Sequence, residues 1–141
     1  MQLELFINFD GNCREAVAFY AKVFKAQVGN VMTYGQAPQD PDHPLPEADR
    51  ERICYAGIPM GGMTVMFMDM PSGFPLAVGN NINPTVSMDD KDEITRIFNE
   101  LKEGGQVHME PQTTFYSEWY GMVQDKFGVI WHLLHYVPQI K

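Results

Sequence analysis

From Leu3 to Phe9 the chain alternates, with Leu3, Leu5, Ile7 and Phe9 on one side and Glu4, Phe6 and Asn8 on the other. A period of two predicts a strand with one buried face. Asp10-Gly11-Asn12 interrupts it, and Glu15 follows Asn12 by three positions, a capping-box pair that opens a helix. Ala16, Phe19, Tyr20, Val23 and Phe24 then recur at helical spacing and form one apolar stripe.

The same pattern returns in the second half. Asn81 to Ser87 reads as a strand, with Pro84 marking an edge or a bulge. Asp90 and Glu93 repeat the cap, and Ile94, Ile97, Phe98 and Leu101 repeat the stripe before Gly104-Gly105 ends the helix. An offset of 78 residues superposes Asn12 on Asp90, Glu15 on Glu93 and Tyr20 on Phe98. Strands are expected after each helix. In the first half they are Gln27 to Tyr34, then a hairpin of Ile53 to Ile58 and Met63 to Asp69. In the second half they are Gln106 to Glu110, Tyr120 to Asp125 and Ile130 to Val137. Each half therefore reads βαβββ, with module boundaries near 1–72 and 80–141. The fold class is α+β.

The segment from Gly35 to Glu51 carries Pro38, Pro41, Pro44 and Pro46 among acidic residues and His43. It is too polar for core and longer than an ordinary connection, so it is either a solvated loop or a lid.

Composition narrows the function classes. Apolar residues make up 45% of the 141, enough for a packed core. The formal charge of −8 disfavours binding to phosphate backbones or anionic lipid, so neither nucleic acid nor membrane is expected as a partner. No apolar run approaches the roughly 20 residues needed to span a bilayer. No signal peptide is visible, and two cysteines make no disulfide framework, which together point to the cytoplasm. Cys13, at a helix start, and Cys54, in a strand, both read as inert thiols.

Several stretches carry a family resemblance: Phe9-Asp10-Gly11-Asn12-Cys13 leading to Ala18-Phe19-Tyr20, then Met68-Asp69-Met70-Pro71, then Thr114-Phe115-Tyr116, and last Tyr120 through Trp131. In this order, and over nearly the whole chain, they resemble the PhnB-like branch of the vicinal oxygen chelate superfamily. That superfamily includes glyoxalase I, extradiol dioxygenases and bleomycin-resistance proteins. The resemblance implies two βαβββ modules whose curved mixed sheets form a cup, and a homodimer whose cups lie within one chain or across two.

In metal-dependent members a His or Glu sits on the first and last strand of each module. Carried onto this chain, those positions fall at Leu5, at Met66, Phe67 or Met68 depending on register, at Asn83 and at His132. Leu and Phe cannot coordinate, and thioether sulfur and amide oxygen suit hard divalent ions poorly. No metal or other cofactor is expected. His132 and His135 point to opposite faces of a strand, so they cannot chelate one ion.

The remaining expectation is an aromatic, methionine-rich cup that binds a small molecule, with Leu5, Met68, Asn83, Tyr116, Trp119 and His132 lining it. Three functions compete. The first is a metal-free binder, suited by the acidic chain to a cationic, partly aromatic ligand. The second is an enzyme using His132 with Tyr116 or Asn83 for proton transfer. The third is a metal-dependent lyase or dioxygenase. Methyl transfer has no Gly-rich strand-to-helix loop to support it.

Overall fold

The computed structural model describes residues 1–136. They form two compact units, one of residues 1–77 and one from Val78 onward. The first unit holds β1 (Leu5–Phe9), α1 (Cys13–Val23), β2 (Val31–Thr33), a 3-10 turn at Glu47–Asp49, β3 (Ile53–Met60) and β4 (Met63–Asp69). The second holds β5 (Thr85–Met88), α2 (Lys91–Lys102), β6 (Gln106–Gln112), β7 (Tyr120–Gln124) and β8 (Ile130–His135). Val137, expected to end the last strand, lies outside the described residues.

The two sheets share one topology. Their strand orders are β1-β4-β3-β2 and β5-β8-β7-β6, with the first and last strands of each unit paired parallel and the rest antiparallel. The repeat and the α+β class therefore stand. The 78-residue offset holds for the helices, which begin at Cys13 and Lys91.

It does not hold for the first strands. Three residues link β1 to α1, Asp10 to Asn12, whereas Asp89 and Asp90 alone link β5 to α2. One residue of slip moves every strand side chain to the other face.

The caps also differ. Asp90 caps α2 as expected, its Oδ1 accepting from the Glu93 backbone N–H at 3.0 Å. Asn12 makes no side-chain cap bond. The start of α1 is held instead by Asp69, whose Oδ1 accepts from the backbone N–H groups of Gly11 at 2.8 Å and Cys13 at 2.9 Å. Its Oδ2 accepts from the N–H of Ile53 at 2.9 Å. The buried carboxylate thus ties β4, β3 and α1 together.

Each unit packs its helix on one face of its sheet. In the first, the fully buried Tyr20 ring stacks on Phe67 with centroids 5.5 Å apart, and Phe9 closes the cluster. In the second, Ile94, Ile97, Phe98 and Leu101 of α2 lie over Val123, Trp131 and Leu133, all buried. Gly121 sits under Phe98 so closely that a Cβ there would lie 2.9 Å from the ring.

Other expectations are trimmed. The strand expected over Gln27–Tyr34 shortens to Val31–Thr33, and that expected from Asn81 starts only after Pro84. The 35–51 segment is anchored near its end. Asp49 is buried, with Oδ1 accepting from the Ser72 N–H at 3.1 Å and lying 3.6 Å from Nε of Arg52. Arg52 also reaches Asp10 and the carbonyl of Met70, both at 2.8 Å. Among the described residues no helix is long and apolar enough to cross a membrane.

Candidate functional site

Alternation along β8 fixes the site. Trp131 and Leu133 are buried toward α2, so His132 and Leu134 point away from the helix. Pairing carries that assignment to the neighbours. Met122 of β7 and Thr85 of β5 lie opposite His132, and Tyr120 lies opposite Leu134. Side chains at paired positions share a face.

The turn between β7 and β8 sets this register. Asp125 is buried, and its Oδ1 accepts from the N–H groups of Phe127 at 2.8 Å and Val129 at 3.1 Å. Its Oδ2 accepts from the indole N–H of Trp131 at 2.9 Å. The carboxylate therefore locks both the turn and the residue just before His132.

A second tight turn presents the aromatic residues. Thr114 N–H donates to the Ser117 carbonyl at 2.8 Å, and Ser117 N–H donates to Thr114 Oγ1 at 3.1 Å. Ser117 Oγ stands 2.7 Å from the Trp119 carbonyl and 2.8 Å from that of His135, which ties the turn to β8. Phe115 and Tyr116 project from it, 99% and 54% exposed. The Tyr116 ring meets Tyr120 edge-on at 5.8 Å, and Tyr120 meets the His132 ring edge-on at 5.7 Å.

At the centre, the Tyr120 hydroxyl and His132 Nδ1 are hydrogen-bonded at 2.5 Å. His132 Nε2 is buried and has no hydrogen-bond partner among the described residues. Burial lowers the pKa of His132, so the ring is neutral at pH 7. Burial, then the adjoining Tyr116, raises the pKa of Tyr120, which keeps its proton. An aromatic surface with one stranded ring nitrogen can hold a flat molecule and bind one of its polar atoms.

The expected site residues divide. His132 and Tyr116 come together around Tyr120. Trp119 does not join them, because its ring packs edge-on against Phe98 of α2 at 5.8 Å and is buried in the core. Leu5 is corrected too. It pairs with Val65, two residues from the Ile7–Phe67 pair, and Phe67 stacks on Tyr20 of α1. Leu5 therefore faces the helix, and Phe6 and Asn8 occupy the other face. Met68 does lie on that face, opposite Asn8. Asn83 precedes β5, and its side-chain N–H donates to the Ile130 carbonyl at 3.4 Å.

Tyr120 is the residue that sequence reasoning did not single out. The hairpin closed by Asp125 to Gly128 held the signal, since its register puts Tyr120 diagonally across from His132 on one face.

A divalent metal needs several imidazole or carboxylate donors on one face. On the first and last strands, the side chains facing away from the helices are Phe6, Asn8, Thr64, Met66 and Met68 in one unit and Thr85, Ser87, Ile130, His132 and Leu134 in the other. Only His132 among them is an imidazole or a carboxylate. Among the described residues no three His, Cys, Asp or Glu side chains converge. These residues do not fit the metal of the metal-dependent relatives.

Comparison with known proteins places the fold and the family. The family profile described as 3-demethylubiquinone-9 3-methyltransferase matches residues 2–134. Protein YjdN of Escherichia coli K12 is 30% identical over 138 residues, covering 93% of this chain and 92% of its own. The crystal structure of PA1353 from Pseudomonas aeruginosa superposes with a TM-score of 0.85 at 29% identity, covering 96% of this chain and 97% of that one. A glyoxalase/bleomycin resistance protein/dioxygenase family enzyme from Burkholderia phytofirmans shares the fold, with a TM-score of 0.63 at 14% identity over 94% of this chain and 97% of that one. The glyoxalase/bleomycin resistance likeness is one of fold, and the chain belongs to the 3-demethylubiquinone-9 3-methyltransferase family.

Proposed function

We propose that this protein binds a small molecule against the face of the second sheet that carries His132, without a divalent metal. One observation carries the reading, the buried and partnerless Nε2 of His132 beside the Tyr116 and Tyr120 rings. A buried polar atom without a partner costs about 1–3 kcal/mol, which an incoming ligand atom recovers.

The methyl transfer in the family's description finds no support in the helix starts. Nucleotide-like cofactors seat an anionic group at a helix N-terminus. A carboxylate already stands at each helix start, Asp69 accepting from the Cys13 N–H in α1 and Asp90 from the Glu93 N–H in α2. Metal-dependent lyase or dioxygenase chemistry is disfavoured by the donor set alone.

A second reading rests on the same pair. A neutral imidazole held by a tyrosine suits proton transfer at a bound substrate. Turnover of a bound molecule that disappears in His132→Gln would favour this reading over simple binding.

The protein works as a homodimer in this proposal. Phe115, Ile82, Phe74 and Val78 are 99%, 75%, 62% and 62% exposed, and their burial against a second copy would favour association. Light scattering at micromolar concentration tests it, and a monomer mass refutes it.

The binding reading is tested by thermal shift with single-ring aromatic fragments, in the wild type and in His132→Ala. Fragments should stabilise the first and not the second. Equal shifts in both would place the site elsewhere. Elemental analysis after incubation with Ni, Zn, Mn and Fe(II) tests the metal statement, and one tightly held ion per chain would refute it.

A further inference from the structure

We propose that His132 meets its ligand as a hydrogen-bond donor through Nε2–H, so that the site selects molecules carrying an acceptor oxygen, a carboxylate or carbonyl, on a flat apolar body. The proposal rests on the reading above that this face binds a small molecule.

The polarity follows from the Tyr120–His132 pair. A neutral imidazole carries one ring proton, and the hydrogen bond at one nitrogen decides where it sits. Nδ1 stands 2.5 Å from the Tyr120 hydroxyl. A phenol is a much stronger acid than a neutral imidazole N–H, and an imidazole nitrogen is a much stronger base than a phenol oxygen. Tyr120 therefore donates to Nδ1, and the ring proton lies on Nε2.

Tyr116 flanks the pair, its ring edge-on to Tyr120 with centroids 5.8 Å apart. The direction of the Tyr120–His132 bond rests on the relative acidity of phenol and imidazole alone, and it ends in an N–H with nothing to receive it.

No described residue hydrogen-bonds Nε2. The side chains of β5, β7 and β8 on this face are Thr85, Ser87, Tyr120, Met122, Gln124, Ile130, His132 and Leu134, with no carboxylate among them. An N–H donor at this point takes an acceptor group, so the ligand proposed here differs from the cationic one that the chain's net charge suggests.

Two experiments on the full-length protein decide the matter. In ¹⁵N-labelled protein at pH 7.5, a long-range ¹H–¹⁵N correlation should show His132 Nε2 protonated and Nδ1 bare. The reverse pattern would overturn the proposal. In Tyr120→Phe the preference should relax toward a mixture, and an unchanged pattern would remove Tyr120 as its cause.

Titration with benzoate and with benzylammonium then compares one ring with opposite polar ends. Benzoate should move the His132 Nε2 resonance and benzylammonium should not. His132→Gln, which keeps an N–H near the Nε2 position, should retain benzoate binding within about tenfold, and His132→Ala should lose it. Benzylammonium binding alone would overturn the donor assignment while leaving small-molecule binding intact. If no fragment of either kind moves any resonance on this face, the underlying binding reading fails and the ligand class with it.

Discussion

Asp69 anchors a helix start that lies 56 residues before it, its Oδ1 accepting from the Cys13 backbone N–H at 2.9 Å. With Gly11 and Ile53 this carboxylate satisfies three backbone donors. Asp69→Ala strands all three in the interior. We expect a loss of about 3 kcal/mol or more in urea unfolding followed by circular dichroism. A loss below about 1 kcal/mol would mean the carboxylate is not the cap.

The two local cap positions should respond differently. Asp90→Ala removes a side-chain bond to the Glu93 N–H and should cost about 1 kcal/mol. Asn12→Ala removes no such bond and should stay within about 0.5 kcal/mol of wild type. Equal losses at both sites would show that Asn12 caps after all.

The contrast shows what was legible in the sequence. Amphipathic periods located both helices and the repeat, because a stripe at 3.6 spacing is a local property. The cap of α1 was not local. Asn12 and Glu15 have the right spacing, yet Asn12 makes no side-chain cap bond, and Asp69 from the far end of the module holds the Gly11 and Cys13 N–H groups instead. Leu5 went wrong for another reason. It was carried over from the family pattern, whereas the alternation of β1 puts Leu5 on the helix side with Ile7. The 78-residue offset then led from Leu5 to Asn83, although the β5–α2 connection is one residue shorter than the β1–α1 connection, which flips the face. The side of the sheet on which His132 lies was legible, because Trp131 and Leu133 flank it on one strand and are buried toward α2. Trp119 was lost because aromatic residues beside a turn serve core and surface alike, and only its contact with Phe98 decides.

Gly121 tests the packing of the second unit. Its missing Cβ would lie 2.9 Å from Phe98 and 3.3 Å from Pro111. Gly121→Ala should cost about 1–3 kcal/mol by overpacking. Combining it with Phe98→Leu should recover part of that loss, and strict additivity would contradict the contact.

The thiols should separate by accessibility. Cys13 is fully buried, and its pKa is pushed up to about 12, chiefly by burial and then by Asp69. Native protein at pH 8 should leave Cys13 unlabelled by a disulfide reagent, and denaturant should release it. Cys54, partly exposed, should label first, although burial raises its pKa as well. Rapid native labelling of Cys13 would contradict its placement under the sheet.

His132 links stability to pH. Burial holds its folded pKa below the ordinary 6.5, so the unfolded chain binds the proton more readily. Its contribution is constant above that value, declines as pH falls through 6.5, and levels off once the folded imidazole is also protonated. The difference in unfolding free energy between wild type and His132→Gln should therefore be flat above pH 7 and shrink toward pH 5. A difference that grows on acidification would reverse the sign and refute the burial argument.

The central claim is that a small molecule docks on the His132 face of the second sheet. Its most direct measurement is a protein-observed NMR screen of single-ring aromatic fragments, read at the Tyr116, Tyr120, Met122 and His132 side chains. The account expects fragment-induced shifts gathered on those four residues and abolished in His132→Ala. Shifts gathered on other residues, or surviving unchanged in His132→Ala, would contradict it.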